Sequence, residues 1–212
     1  MNKLNFVFWG TPDVASETLE ILKASGYLPS LIVTSLDAKK GRGMQLQQSP
    51  VATFAEENKI KCLKPDKFDA DFTKILQATN YNISIVVAYG KIMPESILDM
   101  PKLGSLNIHY SLLPKYRGAS PVESAILNGD KETGVTIQKM QLKLDSGPII
   151  AQEKVEILQD EKTSDLRKRL IKIGGELLVK ILPEFTGGQV KEITQDETLV
   201  TFCQKIKKEN GL

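Results

Sequence analysis

Histidine is almost absent from this 212-residue chain, occurring once, as His109. Imidazole is the side chain whose ordinary pKa lets it both take and give a proton near neutrality, so histidine chemistry has one place to be. Cysteine is nearly as scarce. Cys62 and Cys203 stand far apart, with no CxxC and no Cys/His cluster, which argues against a disulfide scaffold and a zinc site, and no metal is expected. No apolar run approaches the roughly 20 residues that cross a bilayer, and the amino terminus lacks the basic, apolar and small-residue succession of a signal peptide. Charge of one sign is not in excess either: 28 Lys and Arg against 26 Asp and Glu leave a formal net charge of +2. Composition therefore announces no nucleic-acid partner, and any basic surface is local. The expectation is a cytoplasmic protein with no membrane association.

What is present is a 41% hydrophobic content, enough for a sizeable core in one large domain, or one domain with a short appendage. Phe6-Val7-Phe8-Trp9 reads as a buried strand running into Gly10-Thr11-Pro12, with Val14, Leu19, Ile21 and Leu22 following at near-helical intervals. The order repeats, with strands at 31–33, 60–63, 83–88, 103–109, 134–140 and 149–156 and helices at 50–58, 69–79, 95–99 and 121–128. Residues 163–185 form a long amphipathic helix with Leu166, Leu170, Ile173, Leu177, Leu178 and Ile181 as its core stripe and Gly174-Gly175 as a weak point. Such alternation predicts an α/β fold: an open, mainly parallel sheet with helices on both faces.

Ligands of such sheets gather beyond the carboxyl ends of the strands. Gly10-Thr11-Pro12, Ala88-Tyr89-Gly90-Lys91 and the segment after His109 lie there. Asn107 and His109, two residues apart on a strand, point to one face, so an amide donor and a titratable ring can meet one ligand. A lone histidine on an alternating strand is more often structural, and it is Asn107 that shifts the reading toward a site. Ser111-Leu112-Leu113-Pro114 ends the strand and Arg117-Gly118 continues an exposed turn. Asp145, in Leu144-Asp145-Ser146-Gly147-Pro148, either orients His109 or turns on its own backbone, and spacing alone favours the turn.

Taken together, Phe8-Trp9-Gly10-Thr11-Pro12, Val87-Ala88-Tyr89-Gly90, Asn107-Ile108-His109, Ser111 to Gly118, Asn128-Gly129-Asp130 with Thr133-Gly134-Val135-Thr136, and Leu144-Asp145-Ser146-Gly147 resemble the folate-dependent formyltransferases, most nearly the methionyl-tRNA formyltransferases. The resemblance runs in order across almost the whole chain. It implies a Rossmann-like formyltransferase fold and transfer of a formyl group from 10-formyltetrahydrofolate to a primary amine, with Asn107, His109 and Asp145 at the catalytic positions and no metal. An Asn107 N–H would stabilise the oxyanion of the tetrahedral adduct. His109 would add a second donor when protonated and, with Asp145, move the protons. By the same resemblance Tyr89, Gly90, Lys91 and Ile92, with Ser111, Leu112, Leu113 and Pro114, hold the reduced pterin. Gly90 by itself reads equally well as a turn glycine.

The resemblance also implies an acceptor, methionyl initiator tRNA, approached by Gly10, Thr11 and Pro12 and by the long polar loop 37–49, where Arg42 stands at the family's functional arginine. A guanidinium meets phosphate as a fork, although without the resemblance a glycine-rich basic loop reads as solvated surface. Departures from the family pattern are Met44-Gln45 in a stretch often more basic, Ser124 for a bulkier residue and Pro148 where an acid is common. The family's tRNA enzymes continue into a small β-barrel. The expectation here is a monomer with a catalytic domain over 1–190 and a segment 191–212 leading toward a barrel this chain does not contain, and hence weak, salt-sensitive tRNA binding. An amino-sugar nucleotide is the runner-up acceptor. Glycinamide ribonucleotide is a weaker one, because Gly10-Thr11-Pro12-Asp13 is not a phosphate loop. From another class, a silent tRNA- or folate-binding protein would have no need of Asn107, His109 and Asp145 together.

Overall fold

The chain divides into two compact units, Met1–Leu106 and Asn107–Leu212, and the computed structural model describes residues 4–40 and 43–206 of it. The first unit opens with β1 (Phe6–Gly10), buried at every position, as a strand covered on both faces must be. Next comes α1 (Asp13–Ala24), with Asp13 in its first turn, where a carboxylate meets the positive end of the helix dipole. β2 (Leu31–Val33) pairs parallel with β1.

The polar stretch expected as a loop holds an antiparallel hairpin, β3 (Ala38–Lys40) and β4 (Gln45–Gln47). Its strands are three residues each, too short for a period-2 pattern to stand out from a solvated sequence. Arg42 lies outside the described residues. α2 (Pro50–Glu57) begins after Ser49, whose hydroxyl accepts from Ala52 N–H. β5 (Cys62–Leu63) pairs parallel with β2. α3 (Ala70–Ala78) is capped by Asp69 through Phe72 N–H; each cap satisfies an otherwise orphaned amide. β6 (Ile83–Val87) lies parallel on the other side of β1, and α4 (Glu95–Leu98) follows. Trp9 is fully buried, donates to Ser84 Oγ at 3.1 Å, and meets Phe68, Phe72 and Tyr89 edge-on at 6.2, 6.0 and 5.4 Å.

The boundary between the two units falls within the sequence of β7 (Ser105–His109). After it come β8 (Arg117–Gly118), α5 (Pro121–Leu127), β9 (Glu132–Lys139), β10 (Ile149–Glu156), α6 (Thr163–Thr186), a short 3-10 turn at Glu197–Leu199 and β11 (Phe202–Cys203). The main sheet has seven strands in the order β10-β9-β7-β6-β1-β2-β5, with β9 and β10 antiparallel at one edge. Among the described residues no helix is long and apolar enough to cross a membrane.

Two local expectations are corrected. Arg117-Gly118 is a strand paired parallel with β11, not an exposed turn, and Arg117 is fully buried. Its partners lie about eighty residues further along, beyond any local pattern. The glycine pair of α6 is no weak point: both residues are buried, and a Cβ on Gly174 would stand 3.0 Å from Ile108 Cγ2 and 3.2 Å from Val135 Cγ1. The helix approaches β7 and β9 as closely as it does because nothing projects there. Gly134 on β9 is tighter still, since a Cβ would fall 2.3 Å from Glu153 O and 2.4 Å from Leu112 Cδ2. Gly134→Ala is therefore expected to destabilise the protein by about 1–3 kcal/mol, read as a lower urea midpoint with unchanged slope.

Candidate active site

Asn107 and His109 end β7 on one face of the strand, Asn107 half-buried and His109 buried. His109 Nε2 lies 2.8 Å from the Tyr116 carbonyl. A carbonyl only accepts, so Nε2 carries the hydrogen and Nδ1 the lone pair. Nδ1 faces Asp145 Oδ2 at 3.7 Å. That gap is too long for a direct hydrogen bond, yet one nitrogen or oxygen beside the pair can lie about 2.8 Å from both. The N–H that His109 gains on protonation is thus on the Asp145 side, while its other N–H is already engaged. Among the described residues no hydrogen bond engages the Asn107 side chain.

Asp145 does not turn on its own backbone. Its Oδ2 accepts from Gly118 N–H and its Oδ1 from Gln138 Nε2, each at 2.8 Å, so both oxygens are fixed. Its φ is +46°, and the turn continues through Gly147, where a Cβ would collide with Lys139 O at 1.7 Å. Gln195 Nε2 donates to Asp145 O at 2.9 Å and Gly147 O at 2.7 Å, while its Oε1 accepts from Arg117 Nε at 3.1 Å and Nη2 at 2.8 Å. Arg117 Nη2 also donates to Glu197 Oε1 at 2.7 Å.

The segment from Ser111 to Gly118 is held from several directions. Ser111 Oγ donates to Lys115 O at 2.6 Å. Thr136 Oγ1 donates to Ser111 O at 2.6 Å and accepts from Leu113 N–H at 3.1 Å and from Gln152 Nε2 at 2.8 Å; Gln152 also donates to Leu113 O at 2.8 Å. The Leu113 N–H is therefore engaged by Thr136, while Leu112 and Pro114 are half-buried. Tyr116 has φ +59°. Its N–H donates to Thr201 Oγ1 at 2.8 Å, and its hydroxyl donates to Asp130 Oδ2 at 2.7 Å and accepts from Asn128 Nδ2 at 2.8 Å. The Cys203 thiol, pushed up by burial first of all, donates to the same Tyr116 carbonyl at 3.3 Å. From the sequence no site role falls to Tyr116, Thr136, Gln138, Gln152 or Gln195. One signal was available: Thr136 and Gln138 alternate with Val135 and Ile137 along β9, and all four are buried, so this strand has a polar interior face.

The first unit holds the other predicted residues. Thr11 Oγ1 donates to Tyr89 O at 2.9 Å, joining the loops after β1 and β6. Gly10 is needed for packing, since a Cβ would lie 2.5 Å from Ala15 Cβ and 2.9 Å from Val87 O; Pro12 is exposed just ahead of α1. Tyr89 is buried with its hydroxyl unpartnered, and burial pushes it up to about 12. Gly90 has φ +83° with open space where a Cβ would be, so both its turn role and its open side are present. Lys91 Nζ donates to Pro65 O at 2.6 Å, and Ile92 is 89% exposed. A hollow of about 420 Å³ lies beyond β5, lined by residues that include Leu63, Lys64, Lys67 and Phe72; no predicted site residue lines it. Among the described residues no group of three or more His, Cys, Asp or Glu could hold a metal ion.

The sequence matches the formyl transferase family over residues 2–182. It is 41% identical over 212 residues to a methionyl-tRNA formyltransferase of Dictyoglomus turgidum, covering 99% of this chain and 67% of that protein. Among solved structures, glycinamide ribonucleotide transformylase 1 from Symbiobacterium toebii is similar with a TM-score of 0.75 at 19% identity, covering 91% of this chain and 96% of that one. An N-formyltransferase from Helicobacter canadensis, in complex with folinic acid and dTDP-3-aminofucose, has a TM-score of 0.71 at 20% identity, covering 99% and 72% of the two chains. At such identities it is the fold that is shared.

The buried Arg117 leaves a mark on acid stability. A hydrogen bond from Arg117, then one from Lys143, lowers the Glu197 carboxyl from its ordinary 4.5 to about 2. A carboxyl depressed by folding adds stability that is present above its unfolded value and lost as pH falls through the folded one. The melting temperature of the wild type should exceed that of Glu197→Gln by a constant amount above about pH 5, with the difference closing as pH approaches about 2; thermal melts across this range measure it.

Proposed function

Because the chain belongs to the formyl transferase family, we propose that it transfers a formyl group from 10-formyltetrahydrofolate to the amine of methionyl initiator tRNA, the acceptor named for its relative of 41% identity. The observation that carries the reading is the pair formed by buried His109 and half-buried Asp145, 3.7 Å apart, with Asn107 two residues before His109 on the same strand and its amide without a hydrogen bond among the described residues. When bound, 10-formyltetrahydrofolate supplies the activated formyl carbon. Asn107 donates its N–H to the formyl oxygen as negative charge develops there, and losing one such donor costs about 3–4 kcal/mol of transition-state stabilisation. His109 Nδ1 takes the proton released by the attacking amine. Asp145 balances the imidazolium across the gap, and His109 returns the proton to the departing nitrogen, as general acid following general base.

Tyr89, Gly90, Lys91 and Ile92 hold the donor's ring system, together with Ser111, Leu112, Leu113 and Pro114. The open side of Gly90 and the exposed Ile92 leave main chain and an apolar side chain free to pack against the face of the pterin, since main chain can approach where no Cβ intervenes. Gly10, Thr11 and Pro12 face the acceptor, and Arg42 contacts its phosphate. The chain's near-neutral charge of +2 makes that contact local.

The test supplies 10-formyltetrahydrofolate with methionyl initiator tRNA, glycinamide ribonucleotide and an amino-sugar nucleotide as competing acceptors. Formylmethionyl-tRNA is the expected product, and formylation of either other amine alone would overturn the acceptor while leaving the chemistry. Asn107→Ala and His109→Ala are each expected to lower kcat about 100- to 1000-fold in a protein with an unchanged circular dichroism spectrum. Near-normal turnover in either would remove that residue from the reaction.

A further inference from the structure

We infer that Gln195, which lies outside the family-matched stretch 2–182, is a positioning residue for the His109–Asp145 pair; the inference rests on the role proposed above for that pair. Gln195 is buried, and its side-chain amide is used to capacity: both donor bonds end on the carbonyls of Asp145 and Gly147, and both acceptor bonds come from Arg117. An amide has two donors and two acceptor sites. Because Arg117 can only donate and the carbonyls can only accept, the amide has one permitted orientation.

The two sides of that amide are the two sides of the site. Arg117 follows Tyr116, whose carbonyl holds His109 Nε2, and it precedes Gly118, whose N–H holds Asp145 Oδ2. Asp145 and Gly147 belong to the turn between β9 and β10, where Leu142, Lys143 and Leu144 are exposed and Asp145 keeps φ at +46°. A non-glycine residue in that conformation persists where its surroundings hold it. Gln195 supplies the hold on the main chain while Gln138 and Gly118 hold the carboxylate. Residue 195 is delivered by the antiparallel bridge between Ile193 and Ile149 at the start of β10. Removing the clamp frees the turn and widens the gap between Nδ1 and Oδ2, and a misplacement of about 1 Å can cost on the order of 100-fold in rate.

Two substitutions test this. Gln195→Met keeps the length and removes all four bonds, whereas Gln195→Glu keeps an acceptor for Arg117 and removes the two donors to the turn. Each is expected to lower kcat about tenfold or more with KM for donor and acceptor within about twofold. Glu197→Gln, which alters only the contacts of this exposed carboxylate with Arg117 and with the exposed Lys143 side chain and leaves all four Gln195 bonds in place, should leave kcat unchanged. His109 is the chain's one histidine, so its imidazole resonances are assigned without ambiguity. They should move in both Gln195 variants and stay in place in Glu197→Gln. This signal needs no turnover, so a failed formyl assay does not silence it. Folded Gln195→Glu with unchanged kcat and unchanged His109 resonances overturns the inference. So does a Gln195→Met protein whose loss of rate disappears on cooling below its melting transition.

Discussion

The Tyr116 carbonyl decides what His109 can do. By accepting from Nε2 at 2.8 Å it leaves the lone pair on Nδ1, the nitrogen that faces Asp145. If that oxygen moved away, the ring would be free to take either tautomer. Much of the unit around it is spent on keeping it in place. Tyr116 is anchored at its hydroxyl by Asn128 and Asp130 and at its N–H by Thr201, and its carbonyl takes a second bond from the Cys203 thiol. The motif Asn128-Gly129-Asp130, which the sequence offers only as part of a family resemblance, thereby acquires a physical task.

A second constraint is the burial of this framework. Thr136, Gln138 and Gln195 are almost fully buried, and neutral amides and hydroxyls in such surroundings form strong, mutually orienting bonds only when nearly all are satisfied. Thr136 is engaged by three partners, Gln195 by four bonds in all and the Asp145 carboxylate by two. The site is consequently built of fixed dipoles around one titratable ring, which is the arrangement electrostatic catalysis requires: groups already aimed before charge develops.

The stretch from Gln195 to Cys203 reaches this framework from far along the chain. Glu197 closes on Arg117, Thr201 on Tyr116, and β11 on β8. An arginine can lie fully buried here because a neutral amide and a carboxylate both meet its guanidinium, which would otherwise carry a large desolvation penalty.

The alternation of buried runs with amphipathic stretches made the open α/β sheet legible, because a strand covered on both faces has to be apolar throughout and β1 and β6 are. His109 at the end of a strand, with Asn107 two residues before it, was legible for the same reason of local period. Asp145 was not separable from an ordinary turn, since its partners Gly118, Gln138 and Gln195 are set by contacts across up to fifty residues. Arg117 read as exposed for a like reason: a charged residue before glycine looks solvated until the partners that neutralise it are seen. The sequence by itself determined the layering, the strand ends and the position of the lone imidazole, because these follow from near-neighbour periodicity and composition. The tertiary structure alone decided which nitrogen of that group is free and what holds the carboxylate opposite it, because hydrogen bonds between distant segments depend on where the chain returns and leave no periodic trace.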